Sequence, residues 1–291
     1  MTAVVPSPLL VVAHDGDRVA VGNEQLGWFD PGGDGDLTAR VVAAAAQAEE
    51  LRALIGAGSL PPVELGRRLA PSPTPVQVFG APVNYHAHQG ELGARSPSGD
   101  ATTRELGLFV KAVGSVCGPD DAIELPALPG RESHYEGEVA VVISRGGGSI
   151  PAERALDHVA GLTAALDITL RLEAGKKEER SLRKSYRTFT PLGPALLPLS
   201  QVVSLPDVAV GLTLNGEPRQ HGTLAQLICD VPELIAMASA VVDLRPGDVI
   251  LTGTPAGVGP LRDGDEVAVS VSGLPPLRLP VRQAVAAGAR A

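Results

Sequence analysis

The segment His134-Tyr135-Glu136-Gly137-Glu138 runs directly into the apolar stretch Val139-Ala140-Val141-Val142-Ile143. An alternating start followed by an apolar run predicts a strand that enters the core. Residues two apart share one face of a strand, so Glu136 and Glu138 point together, roughly 7 Å apart at Cα. Two like charges aimed at one interior spot stay ionised only where a cation or hydrogen bonds compensate. A third carboxylate, Asp167, sits in the apolar, strand-like run Gly161 to Thr169. Three oxygen donors suit a hard cation such as Mg²⁺, which keeps some of its water and leaves positions open for a substrate. From spacing alone, an acidic strand edge with Asp167 capping a turn stays open as the alternative.

Other segments also carry reactive residue types. In Asn84-Tyr85-His86-Ala87-His88-Gln89-Gly90-Glu91, a helical conformation would set His88 and Glu91 at i and i+3, facing each other. A carboxylate beside an imidazole orients it and raises its basicity, as a general base for water requires. A solvated loop with incidental histidines, or His86 as the partner, remains open. The stretch Arg180 to Pro194 concentrates Arg180, Arg183, Lys184 and Arg187. Such cations can hold a substrate carboxylate or an oxyanion, or simply form a solvated face. The glycines of Leu251-Thr252-Gly253-Thr254-Pro255-Ala256-Gly257-Val258-Gly259 permit close backbone approach to a ligand, although a tight turn explains them equally. No Gly-x-Ser-x-Gly elbow, Walker lysine or zincin motif is present. All three tyrosines, Tyr85, Tyr135 and Tyr186, fall inside these segments.

The elements that must position these residues belong to an ordinary globular chain of 291 residues, 44% hydrophobic and 20% charged, long enough to bury a large core. A net charge of −9 argues against sequence-independent binding to nucleic acid, which needs Lys and Arg to neutralise phosphates. No apolar run approaches the ~18 residues of a spanning helix. No basic residue precedes Arg18, which argues against a secretory signal, and two cysteines, Cys117 and Cys229, cannot build a disulfide framework. A reducing cytoplasm is the simplest expectation.

Two short strands, Leu9–Ala13 and Arg18–Val21, open the chain and precede a helix over 36–55 with Asp36 as N-cap. Prolines 61, 62, 71, 73 and 75 then read as an extended linker. Residues 1–75 are therefore expected to form a small N-terminal domain with its linker, and residues 76–291 the catalytic domain. Within the latter, Asn215-Gly216 marks a hairpin. Helices are expected over about 151–159 and 230–242, the second with Asp230 and Glu233 in capping-box spacing. The fold class is α/β and β-dominated.

Taken in order, the segments resemble the fumarylacetoacetate hydrolase family from about Val76 to the C-terminus. The resemblance rests on Asn84-Tyr85-x-x-His88-x-x-Glu91, Leu108-Phe109-Val110-Lys111, Tyr135-Glu136-Gly137-Glu138, Asp167 with Arg171, Arg183-Lys184-Ser185-Tyr186, Asn215-Gly216-Glu217-x-Arg219-Gln220 and Thr252 to Gly259. It implies a mixed β-sandwich roll, usually a homodimer, with a divalent cation (Mg²⁺ or Mn²⁺) held by Glu136, Glu138 and Asp167. By position, His88 with Glu91 matches the family's water-activating pair on a mobile short helix, and Lys184 its active-site lysine. Tyr85, Arg171, Gly253 and Thr254 fall at positions expected to contact substrate. Two departures concern the substrate pocket. The family often has Gly-Lys-Ser-Phe-Asp where this chain has Arg183-Lys184-Ser185-Tyr186-Arg187, and a frequent glutamine is Ala174 here.

The implied activity is hydrolysis of a carbon–carbon bond in a β-diketo acid of the acylpyruvate type through a metal-stabilised enolate. Decarboxylation of an oxaloacetate-like acid and isomerisation of an unsaturated oxo-dicarboxylate share that enolate and are the rivals. A non-catalytic metal- or ligand-binding relative is the remoter alternative. The expected partner is a small oxo acid, with neither nucleic acid nor membrane.

Overall fold

The computed structural model describes residues 3–92, 99–172 and 176–284. Three strands, Gly137–Ile143, Val159–Leu166 and Thr190–Pro198, are buried at every position. A strand covered on both faces has no solvent side to mark with polar residues, so its sequence reads as a continuous apolar run. These three lie at the middle of a ten-stranded mixed sheet. To one side the sheet continues through Leu10–His14, Arg18–Asn23 and Gly27–Phe29, joined by the pairing of Val11 with Leu196. To the other it continues through Val249–Leu251, Val78–Gly80 and Phe109–Lys111.

Alternation along Gly137–Ile143 shows what covers each face. Val139, Val141 and Ile143 pack with Val210, Leu212, Val267 and Val269 of a five-stranded antiparallel-rich sheet. Val142 points the other way, into a cluster with Val41, Ala44 and Ala45 of the helix Leu37–Ala46. The result is a β-dominated α/β sandwich, as the composition of the segments indicates. No helix among the described residues is long and apolar enough to cross a membrane.

Three local expectations change in the structure. The helix expected over 36–55 is two helices, Leu37–Ala46 and Ala48–Gly56, separated at Gln47 (φ −101°, ψ 15°). The break turns the second helix so that Ala48 and Leu51 remain buried. The segment Ala152–His158 is a 3₁₀ helix, whose three-residue repeat stacks the buried Ala155 and His158. The strand expected to run unbroken through 134–143 is interrupted at Glu136. Ser133–Tyr135 pairs with Thr169–Leu170 and Gly259–Pro260 in a separate three-stranded sheet, while Gly137–Ile143 belongs to the large one.

Asn84 ties the chain ahead of the helix His86–Leu92 to its surroundings. It is fully buried; its Nδ2 donates to the carbonyls of Cys229 and Thr252, and its Oδ1 accepts from the Cys229 N–H. The Asn84→Ala variant leaves three backbone groups without partners and is expected to lose about 3 kcal/mol of stability in urea denaturation. A loss below about 0.5 kcal/mol would show that Asn84 is not the tie.

Candidate metal centre

Antiparallel register gathers the carboxylates. Ala165 pairs with Glu138 and Leu166 with Gly137, and one step further the Asp167 N–H donates to the Glu136 carbonyl at 2.8 Å. Cross-strand partners share a face, and Glu138 lies two residues from Glu136 on that face. One oxygen from each of Glu136, Glu138 and Asp167 falls within 4.8 Å of the others, and all three side chains are buried.

Buried carboxylates this close repel, and the surroundings answer unevenly. Lys184 Nζ donates to Glu136 Oε2 at 2.8 Å, Asp167 Oδ2 at 2.6 Å and Thr169 Oγ1 at 2.7 Å. Lys111, with no exposed surface, donates to Asp167 Oδ1 at 2.5 Å and to the Phe189 carbonyl at 2.7 Å. Arg171 donates to Glu136 Oε1 at 3.0 Å. Glu138 makes no direct ion pair among the described residues, Lys184 acting on it only at longer range; its Oε2 accepts the Gly253 N–H at 2.6 Å.

The pKa directions follow from these contacts. Burial opposes ionisation of Glu136, but the charges of Lys184 and Arg171 outweigh it and hold the carboxyl far below the usual range. Burial, then Asp167 and Glu136, push Glu138 well above it. Burial disfavours the Lys184 ammonium, but Asp167 and Glu136 overcome this and hold it above an ordinary lysine. Burial lowers Lys111 despite the attraction of Asp167. A dication beside Glu138 would supply the charge this carboxylate lacks, and three hard oxygen donors fit Mg²⁺ or Mn²⁺. The triad could therefore chelate a divalent metal.

The glycine-bearing turn after Val249–Leu251 braces both parts of the site. Gly253 (φ +99°) offers its N–H to Glu138, and an added Cβ would meet Asn84 Cβ at 2.7 Å. Gly257 (φ +103°) donates to Glu91 Oε1 at 3.0 Å, and an added Cβ would meet the Arg219 carbonyl at 2.0 Å. Only glycine combines that backbone with that proximity. Glu91 Oε2 lies 3.1 Å from His88 Nδ1, so the carboxylate is held by the turn at one oxygen and meets the imidazole with the other. Thr254 Oγ1 donates to the Gly137 carbonyl and accepts from Gln220 Nε2, while Gln220 Oε1 accepts the Gly137 N–H.

A cavity of about 330 Å³ opens on this ground, and His88, Glu91, Glu136, Glu138, Arg171, Lys184 and Thr254 all line it. Asp167 lies behind Lys184. Tyr85 is placed differently: it is 1% exposed, lies outside the cavity lining, and its hydroxyl has no partner among the described residues. Burial and the nearby Glu138 charge raise its pKa. Ala174 lies outside the described residues. Sequence reasoning passed over Lys111 and Thr169 as site residues. A lysine closing the apolar run Leu108-Phe109-Val110 is a usable signal for the first, and no signal marks the second.

If the triad binds a dication, the ion stabilises the folded state by about 2.7 kcal/mol at a hundredfold excess over its Kd, which raises Tm by roughly 5 °C. Mn²⁺ or Mg²⁺ is expected to produce that rise in the wild type. Glu138→Gln replaces a buried carboxyl whose ionisation the surroundings disfavour, so the variant is expected to melt no lower than the metal-free wild type and to show no metal-induced rise. Equal rises in both proteins in differential scanning calorimetry would place the ion elsewhere.

A family profile described as the fumarylacetoacetate (FAA) hydrolase C-terminal region matches residues 77–282. A maleylpyruvate hydrolase of Aquipseudomonas alcaligenes is 35% identical over 222 residues, covering 74% of this chain and 76% of its own. A mitochondrial oxaloacetate tautomerase of Oryza sativa subsp. japonica is 38% identical over 207 residues, covering 68% and 87%. The crystal structure of maleylpyruvate hydrolase from Sphingobium sp. SYK-6 in complex with manganese(II) ion and pyruvate superposes with a TM-score of 0.77 at 31% identity. It covers 95% of this chain and 100% of that one. The acidic triad thus sits on a fold and a sequence that both point one way, and the chain belongs to the fumarylacetoacetate hydrolase family.

Proposed function

We propose that this chain is a divalent-metal-dependent hydrolase that cleaves a carbon–carbon bond of a β-diketo acid of the acylpyruvate type. The observation that carries the reading is the His88–Glu91 pair opening on the same cavity as Glu136, Glu138 and Lys184. Glu136, Glu138 and Asp167 would hold a divalent ion, which would supply Lewis acidity toward the 2-oxo-carboxylate end of the substrate.

The chain's own groups divide the remaining work. Glu91 keeps the Nδ1 edge of His88 engaged, which leaves Nε2 to take a proton from water. The Lys184 ammonium is the nearby cation for the oxyanion that forms when water adds to the distal carbonyl. Its position 4.9 Å above the Phe109 ring keeps it at the cavity wall. Thr254 lines the cavity with its hydroxyl fixed to the Gly137 carbonyl.

Similarity to an oxaloacetate tautomerase at 38% identity favours a second reading, in which the same base moves a proton between carbon and oxygen without admitting water. Product analysis on acylpyruvates and oxaloacetate separates the two. Hydrolysis gives two carboxylic acid fragments in equal amounts, and tautomerisation gives no change of mass. Fragments are expected, abolished by chelation and dialysis and restored by Mg²⁺ or Mn²⁺. The His88→Ala variant is expected to lower kcat for hydrolysis by about 10²–10⁴-fold. It should impair decarboxylation of oxaloacetate much less, since that reaction needs no activated water. Full activity after chelation, or equal losses in both reactions, would contradict the assignment.

A further inference from the structure

Val258 lines two cavities. One is the cavity of the acidic triad; the other, of about 600 Å³, runs along the turn 257–259 and is walled by the hairpin of Ala209–Leu214 and Glu217–Thr223. Among the described residues, Val258 is the one side chain that the two linings share.

Three polar side chains meet this second groove without partners. Tyr135 is only 3% exposed, and its hydroxyl makes no hydrogen bond among the described residues, although a buried phenol ordinarily finds one. The hydroxyl is not sealed in the core, as that of Tyr85 is, because Tyr135 lines the groove. An added Cβ at Gly259 would meet its oxygen at 2.7 Å, so a side chain there would crowd the hydroxyl. Arg219 and Arg262 line the same groove, and neither guanidinium makes an ion pair or hydrogen bond among the described residues. Burial raises the pKa of the Tyr135 phenol and the Arg219 charge opposes that rise, which sets the two groups near each other.

The charge and the remaining wall define what fits. Asp265 is the carboxylate of the lining, and its oxygens are engaged: Oδ2 accepts the Arg262 N–H at 2.7 Å and Oδ1 accepts Asn215 Nδ2 at 2.8 Å. Two arginines against one aspartate leave the groove positive in a chain whose net charge is −9. A guanidinium only donates, and a phenol donates readily to an oxyanion. Leu214, Pro218, Val258 and Pro260 supply apolar surface beside these donors.

We propose that this groove is a second small-molecule site, which binds an organic anion. Its carboxylate or phosphate group meets Arg219, Arg262 and the Tyr135 hydroxyl, and its hydrocarbon part rests on Leu214, Pro218 and Pro260. The ligand lies against the turn whose Gly257 N–H holds Glu91, outside the cavity of the acidic triad.

Calorimetric titration of the Mg²⁺-loaded full chain with phenyl phosphate, benzoate and benzyl alcohol tests this. The two acids separate a phosphate from a carboxylate as the source of charge, and the alcohol keeps the ring without charge. At least one anion is expected to bind with a Kd of about 1 mM or tighter, and at least about tenfold more tightly than the alcohol. Arg219→Met and Arg262→Met should each weaken that binding about tenfold, the worth of one charge-assisted hydrogen bond, and Tyr135→Phe about threefold. Both arginines are exposed, so their variants are expected to melt with the wild type. Binding of neither anion, or no preference over the alcohol, would overturn the proposal. So would anion binding that Arg219→Met and Arg262→Met leave unchanged, which would put the anion somewhere other than this groove.

Discussion

Three carboxylates occupy one buried corner, and their repulsion is the constraint to which the rest of the site responds. Desolvation alone would neutralise them. Lys184 bridges Glu136 and Asp167, Lys111 holds the far oxygen of Asp167 from the core side, and Arg171 holds the far oxygen of Glu136. Glu138 is left with a single backbone N–H. Glu136 and Asp167 therefore have direct ion-pair partners, and Glu138 is the carboxylate without one, where a dication would add its charge. That asymmetry is what distinguishes a candidate metal centre from an ordinary buried ion-pair network.

The fold positions this arrangement because each carboxylate is anchored by regular structure. Glu138 is inside a fully buried strand, and Asp167 directly follows another paired to it in register. Glu136 stands where the chain leaves the large sheet for the three-stranded one, a junction fixed by pairing on both sides. The glycine turn then links the two halves of the chemistry, since one of its N–H groups holds Glu138 and another holds Glu91. Gln220, from the neighbouring sheet, secures both Thr254 and the Gly137 backbone. The candidate metal-binding carboxylates, the His88–Glu91 pair and the turn are thus coupled through direct hydrogen bonds.

Much of this was legible in the sequence because it depends on periodicity and charge. Glu136 and Glu138 at a two-residue spacing ahead of an apolar run, and Asp167 inside another, could share a face only if both segments were strands. His88 and Glu91 at three residues apart required only a turn of helix, which His86–Leu92 provides. The unread parts depend on partners that no residue type announces. The amides of Gly253 and Gly257 act through the backbone, so their glycines look the same as those of any tight turn. The interruption at Glu136 arises from pairing with Gly259–Pro260, more than a hundred residues away. Gln47 ends one helix and begins another because the buried faces must follow the sheet, a tertiary demand that local propensity does not encode. Tyr85 sits among reactive neighbours in sequence, yet its ring is inside the core.

The chemistry of this corner depends on where a divalent ion binds, and anomalous diffraction from a crystal of the Mn²⁺-loaded protein locates it directly. One peak is expected, about 2.1 Å from an oxygen of each of Glu136, Glu138 and Asp167. A corner without a peak, with Lys184 alone still joining Glu136 to Asp167, would contradict it, as would a peak on any other set of side chains.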